Sequence, residues 1–123
     1  MTAEQALTEL TEISSQVEAA ALFDAKGKVA ASTLGDAAPF VRAVQDLLAA
    51  AGEARQGSLT QLEAATSEGS VFVVRDGDSY IAATTAPEPT VALVFYDLKT
   101  ALRAAAAAPK RRRRTKKAEN GGA

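Results

Sequence analysis

The sequence of 123 residues contains neither cysteine nor histidine, and these two absences remove much of the common catalytic and metal-binding chemistry. Without cysteine there are no disulfides, no thiolate nucleophile and no thiolate metal site. Without histidine the usual general base near neutral pH and the commonest transition-metal ligand are missing. We therefore expect no enzymatic activity, no cofactor, no metal and no small-molecule substrate.

Long apolar segments are also absent. No run of apolar residues approaches the length of about 18 that a membrane span needs, and the N-terminus lacks the basic start and apolar core of a signal peptide. The remaining composition, 47% hydrophobic and 24% charged, is that of an ordinary globular domain. We expect a single cytoplasmic domain, because a chain of this length is too short for two.

Charge is distributed very unevenly along the chain. Residues 1–109 contain 7 basic and 14 acidic residues, whereas residues 110–123 contain 7 basic residues and one acidic residue. Because like charges at this density repel one another, we predict a folded domain over residues 1–109 and a disordered tail over residues 110–123. The basic residues of the tail are Lys110, Arg111, Arg112, Arg113, Arg114, Lys116 and Lys117.

The tail is typical of a segment that binds polyanions. Its candidate targets are nucleic acid, an anionic membrane surface and the acidic body of the protein itself, and an inert solubilising tail is the alternative. No aromatic residue lies among the charges, which argues against base stacking and sequence-specific recognition.

The centre of the predicted fold is a hairpin over residues 69–85. Val71 to Val74 form an unbroken apolar run, which is typical of a strand covered on both faces. Asp76 and Gly77 are a strong signal for a tight turn, because glycine accepts the positive φ that such turns require. A second hairpin is predicted over residues 19–32 with Gly27 in its turn, and a weaker strand over residues 58–65.

Three segments have the apolar spacing of helices. The first begins with a capping box of Thr2 and Gln5, the second runs from an N-cap at Asp36 to a stop at Gly52, and the third ends at Pro109. Their apolar stripes are Leu7, Leu10, Ile13 and Val17; then Phe40, Val41, Val44, Leu47, Leu48 and Ala51; and finally Val91, Val94, Phe95, Leu98, Ala101 and Leu102.

The resulting order is α-ββ-α-βββ-α, which predicts an α/β (α+β) fold with a five-stranded antiparallel sheet and helices on both faces. Residues 91–96 are also compatible with a strand by composition. The continuation through Leu98 and Leu102 favours a helix there.

This order, the glycine turn at Phe23 to Gly27, the apolar helix from Phe40 to Leu48 and the run Gly69 to Val74 before Asp76-Gly77 resemble the roadblock family of dynein-light-chain-type domains. The resemblance covers about residues 3–106. A profilin-like or longin-like relative is the alternative.

The resemblance implies a homodimer in which the middle helix packs against its twin and the two sheets join edge to edge. On this sequence the implied interface residues are Phe40, Val41, Val44 and Leu48 of the helix, with Leu59 and Leu62 of the edge strand. The family also implies a partner: its bacterial members sit beside a Ras-like small GTPase and regulate it, and other members are scaffolds. The chain has no phosphate-binding Gly-x-x-x-x-Gly-Lys-Ser/Thr loop of its own.

Two other groups of residues are candidates for a site. Asp76 and Asp78 flank a glycine, but the further oxygen ligands of a calcium loop are missing, so a turn is the better interpretation. The scattered basic residues Arg42, Arg55, Arg75, Lys99 and Arg103 could include one that contacts a phosphate on a partner, and their spacing singles out none of them.

Overall fold

The computed structural model describes residues 2–117, and the side chains of residues 2–105. The predicted class and element order are confirmed. The elements are α1 (Ala3–Ile13), β1 (Val17–Asp24), β2 (Val29–Ser32), α2 (Ala38–Arg55), β3 (Gln61–Thr66), β4 (Gly69–Asp76), β5 (Ser79–Thr85) and α3 (Val91–Lys117).

The five strands form one antiparallel sheet in the order β2-β1-β5-β4-β3. The two hairpin units are joined where β1 pairs with β5, so β5 lies at the centre and β2 and β3 are the edges. Because successive side chains of a strand point to opposite faces, the central strands supply apolar residues to both sides of the sheet. This explains the unbroken apolar run of β4.

One face of the sheet is covered by α1 and α3. Phe72 of β4 and Ile81 of β5 are fully buried there against Leu98 and Leu102 of α3. The ring of Phe72 also meets the edge of the Phe95 ring, with centroids 5.0 Å apart. This is the main core of the domain.

Helix α1 begins as predicted and ends earlier. The Thr2 hydroxyl accepts from the Gln5 amide and the Gln5 side chain accepts from the Thr2 amide, which completes the capping box. The helix stops at Ile13, and Val17 is not part of its stripe but the first residue of β1. Ile13 is 69% exposed, so the predicted apolar stripe contacts the sheet only as far as Leu10.

Both predicted hairpin turns are present. Gly27 and Gly77 have φ of +86° and +63°, the left-handed region that glycine enters without strain. The Asp24 carboxylate accepts hydrogen bonds of 2.9 Å from the amides of Lys26 and Lys28. The amide of Lys28 and then that of Lys26, helped by the positive charges of both lysines, hold the pKa of Asp24 below its usual value.

Helix α2 differs from the prediction at both ends. Asp36 is not its N-cap, because Ala37 occupies that position and the Asp36 carboxylate accepts from the amide of Ala38 at 3.2 Å. At the other end the helix passes Gly52 and stops at Arg55. Gln56 then takes a left-handed conformation and donates its amide to the Gly52 carbonyl, as a helix C-terminus commonly requires.

Helix α3 is confirmed as a helix, and it continues beyond its predicted end. The backbone stays helical through Pro109 to Lys117, where the sequence predicted a disordered segment. Alanine, arginine and lysine are all good helix formers, and cations are stabilised near the negative end of the helix dipole. Residues 118–123 of the predicted tail lie outside the described residues.

Within residues 2–117, no helix combines the length and the apolar character needed to cross a membrane.

Candidate interaction surfaces

Within residues 2–117, α2 is the element that covers the second face of the sheet, and this cover is incomplete. Val41 and Val44 are each 2% exposed and pack against Ala21, Val73 and Ala82 of the central strands. These two valines were predicted to contact a second chain. Their burial instead makes them the residues that hold α2 on its own sheet, and it leaves them almost no surface for a partner.

A set of half-buried apolar residues surrounds these valines. We call it the α2 rim. Phe40 and Leu48 of the helix and Leu62 and Val71 of the neighbouring strands pack against the buried cluster, and we include Leu47, which is half-buried on the same helix. Of the helix residues predicted to lie at an interface, Phe40 and Leu48 are therefore the two whose side chains are partly exposed. Leu47 and Val71 are rim residues that the sequence analysis did not assign to the interface.

Strand β3 lies beside the α2 rim and forms one edge of the sheet. Leu62 and Ala64 pair with Val73 and Val71 of β4 and lie on the same side of the sheet as α2. The outer backbone of an edge strand presents unpaired amide and carbonyl groups. Leu62 lies in this edge strand, whereas Leu59 lies in the segment that precedes β3 and is half-buried. That either residue contacts a second chain stays a prediction.

The turn between β4 and β5 has a structural explanation. The Arg75 side chain donates through Nε to the Gly77 carbonyl at 2.8 Å, and its guanidinium lies 5.8 Å from the centroid of the Tyr80 ring. Tyr80 in turn stacks on Phe23 of β1, with centroids 5.4 Å apart. The contacts around Asp76 and Asp78 are therefore those of a hairpin turn that the Arg75 side chain stabilises.

A groove opens between α3 and the sheet where β3 begins and β4 ends. Its volume is about 320 Å³, and three of its lining residues are basic: Arg75, Lys99 and Arg103. Asp76 is the acidic residue of the same lining. We call this the basic groove; its lining is completed by Thr60, Gln61, Val74 and Leu102.

The basic groove was not identified from the sequence. Arg75, Lys99 and Arg103 were recognised only as scattered basic residues, and none was preferred over Arg42 or Arg55. The spacing of four between Lys99 and Arg103 places both on one side of a helix, which is a signal that the sequence carried. Their proximity to Arg75 depends on how α3 packs on β4.

A third surface lies on the helical side of the domain. A groove of about 250 Å³ between α1 and α3 is bordered by Ile13 and Tyr96, which are 69% and 67% exposed. Leu93, one turn before Tyr96, is 48% exposed. This surface lies on the face of the domain opposite the α2 rim.

Solved structures with the same fold include Roadblock/LC7 domains and MglB proteins. The Roadblock/LC7 domain from Streptomyces avermitilis matches with a TM-score of 0.72 and 16% identity, over 85% of this chain and 94% of that one. The gliding protein MglB from Thermus thermophilus also has a TM-score of 0.72, with 16% identity over 84% of each chain. The chain therefore has the roadblock fold, as the resemblance predicted.

The profilin-like alternative is represented among the matches by LokiProfilin2, in a complex with rabbit actin. Its TM-score is lower, 0.58, with 14% identity over 80% of this chain and 91% of that one. No protein-family model and no curated protein matches the sequence. The likeness thus lies in the three-dimensional structure, where the Streptomyces Roadblock/LC7 domain and the Thermus MglB have higher TM-scores than the profilin.

Proposed function

We propose that this protein is a non-enzymatic, homodimeric roadblock-type module that binds and regulates, or scaffolds, a Ras-like small GTPase. In this proposal residues 1–109 are the roadblock-like domain, and the basic residues after Pro109 contact a polyanionic surface. The observation that carries it is the α2 rim beside the open edge of β3. The absence of histidine and cysteine supports a binding role over a catalytic one.

The proposed dimer follows from what α2 leaves exposed. A single helix cannot cover five strands, and large side chains such as Phe40 and Leu48 remain half-buried at its sides. A stable interface buries about 1,200 to 2,000 Å² in total, which two copies of α2 and two β3 edges could supply together. Joining the edges would also satisfy the outer backbone groups of β3.

The dimer is tested by Leu48→Glu, measured as molar mass in solution by sedimentation equilibrium. A carboxylate at this half-buried position would have to be desolvated in the interface, so we expect the variant to be a folded monomer. Leu93→Glu on α3 is the matched control, because it adds the same charge at an exposed leucine outside the rim, and it should remain a dimer. A monomeric wild type, or equal dissociation of both variants, would contradict the proposal.

The GTPase partner is tested separately. Full-length protein and Leu48→Glu are used as bait in the native lysate, and captured proteins that contain a phosphate-binding loop are purified. Their GTP hydrolysis is then measured with and without this chain. We expect one such GTPase to bind the wild type more tightly than the variant. If the wild type enriches no phosphate-loop protein, GTPase binding is refuted. If the captured GTPase hydrolyses GTP at the same rate with and without this chain, regulation of hydrolysis is refuted. Equal enrichment by both baits would refute only the dependence of binding on the dimer.

A second candidate function is nucleic-acid association, with the dimer serving to pair two basic segments. It is favoured by one specific observation, the continuation of α3 from the basic groove into residues 110–117. It predicts that the function depends on the basic residues after Pro109, whereas GTPase binding would not.

A further inference from the structure

We propose that Lys99 and Arg103 extend the basic segment of α3 onto the folded domain, and that the resulting strip binds the phosphates of duplex nucleic acid. The inference rests on the polyanion-binding part of the proposed function. It adds a site on the domain itself and commits to one class of ligand.

Helix α3 connects Lys99 and Arg103 with the basic residues after Pro109. The helix spans Val91 to Lys117 and contains Pro109 in its interior. With ideal helix geometry, positions along it are related by about 100° and 1.5 Å per residue. Positions 99, 103, 110, 114 and 117 fall within about 60° of one another around the axis, and all five are lysine or arginine. The strip they define is about 27 Å long.

The basic groove anchors the strip in the folded domain. Lys99 is half-buried and Arg103 exposed, and both line the groove together with Arg75. One carboxylate, Asp76, lies in the same lining, so the groove retains an excess of two positive charges. The Arg75 side chain already donates a hydrogen bond to Gly77 and contacts the Tyr80 ring, whereas Lys99 and Arg103 project from α3 itself.

The distribution of charge favours duplex nucleic acid over a membrane. The basic positions 110, 111, 112, 113, 114, 116 and 117 are spread around the whole helix axis. A planar bilayer contacts one side of a helix, whereas the major groove of a duplex admits a helix between two rows of phosphates. Residues 104–117 also contain no apolar residue larger than alanine apart from Pro109, so they lack the apolar face with which interfacial helices enter a bilayer.

The experiment measures how the affinity of the full-length protein for a labelled DNA duplex depends on salt. Each phosphate contact contributes about −0.9 to the slope of log K against log salt concentration. Nine contacts per bound chain, seven after Pro109 and two in the groove, predict a slope of about −8. The double variant Lys99→Gln/Arg103→Gln should reduce it to about −6, a difference of about 12-fold in affinity between 50 and 200 mM salt.

Arg42→Gln/Arg55→Gln is the matched control, because it removes the same charge from exposed positions on α2 and should leave the slope unchanged. Equal slopes for the wild type and the Lys99/Arg103 variant would overturn the inference, and so would an equal loss in the control. A wild type that binds neither the duplex nor anionic vesicles at low salt would refute the polyanion-binding function as well. Anionic phosphatidylserine vesicles form the last arm, and binding to vesicles without binding to DNA would also overturn the inference.

Discussion

Gly69→Ala is the substitution for which the structure makes the most demanding prediction. Gly69 is the first residue of β4, and its φ is +143°. A Cβ at this position would overlap the carbonyl oxygen of Thr85, a backbone atom of the adjacent strand β5. Neither the backbone angle nor the contact can be relieved by rotating a side chain.

The expected loss has two parts. An alanine in this backbone conformation costs about 1–3 kcal/mol. Moving β4 away from β5 near Thr85 weakens at least one interstrand hydrogen bond, which contributes about 1 kcal/mol. We therefore expect Gly69→Ala to lower the free energy of unfolding by about 3 kcal/mol, a large part of the total of about 5–15 kcal/mol that a domain has.

Two other glycines separate the causes. Gly77 has a φ of +63° but open space around its Cα, and Gly57 has open space and no left-handed φ. Gly77→Ala should cost about 1–2 kcal/mol through backbone strain alone. Gly57→Ala should change the free energy of unfolding by less than about 0.5 kcal/mol.

Urea unfolding followed by far-ultraviolet circular dichroism measures all three variants. The protein concentration must be the same throughout, because the stability of an associating protein depends on it. If Gly69→Ala were no more destabilising than Gly77→Ala, the overlap with the Thr85 carbonyl would contribute nothing to the loss of stability. The explanation from backbone overlap would then be refuted.

The remaining predictions concern the core, a turn and a cap. Phe72→Ala should lower the free energy of unfolding by about 3–5 kcal/mol through the cavity it leaves, and a loss under about 1 kcal/mol in urea unfolding would contradict the assigned core. Asp24→Asn should make the free energy of unfolding fall less steeply as the pH is lowered into the acid range. The pKa of Asp24 is lowered in the folded state, so the stabilisation by its carboxylate is complete above the unfolded pKa of about 3.9. That stabilisation is lost as the pH falls through the folded-state pKa. If the free energy of unfolding of both proteins fell equally with decreasing pH, Asp24 would not contribute to acid stability. Thr2→Ala removes the capping hydroxyl of α1 and should cost about 1 kcal/mol, whereas the same change at exposed Thr60 should cost less.

Local signals were sufficient for the elements and their order. The turns at Gly27 and Gly77 need a positive φ, the capping box at Thr2 needs only residues three apart, and the period of α3 continues through Leu98 and Leu102. Each of these depends on neighbours in the chain. That is why the fold could be predicted from the sequence although no family model or curated protein matches it.

Local patterns did not predict which residues of the α2 stripe are buried. Phe40, Val41, Val44 and Leu48 form one stripe in the sequence, and helical periodicity cannot divide such a stripe into residues that are buried against the sheet and residues that stay at the surface. The packing of α2 on the central strands makes that division, since Val41 and Val44 are buried and Phe40 and Leu48 are not.

The sequence by itself determined the order of the elements, the positions of the turns and the charge of the segment after Pro109, because these depend on residue type and local spacing. Only the tertiary structure decided which apolar residues of α2 stay at the surface and which basic residues meet. Arg75 and Lys99 are 24 positions apart in the chain, and they share a groove because α3 packs across the end of β4. Contacts between distant segments follow from how the layers pack, and no local pattern encodes them.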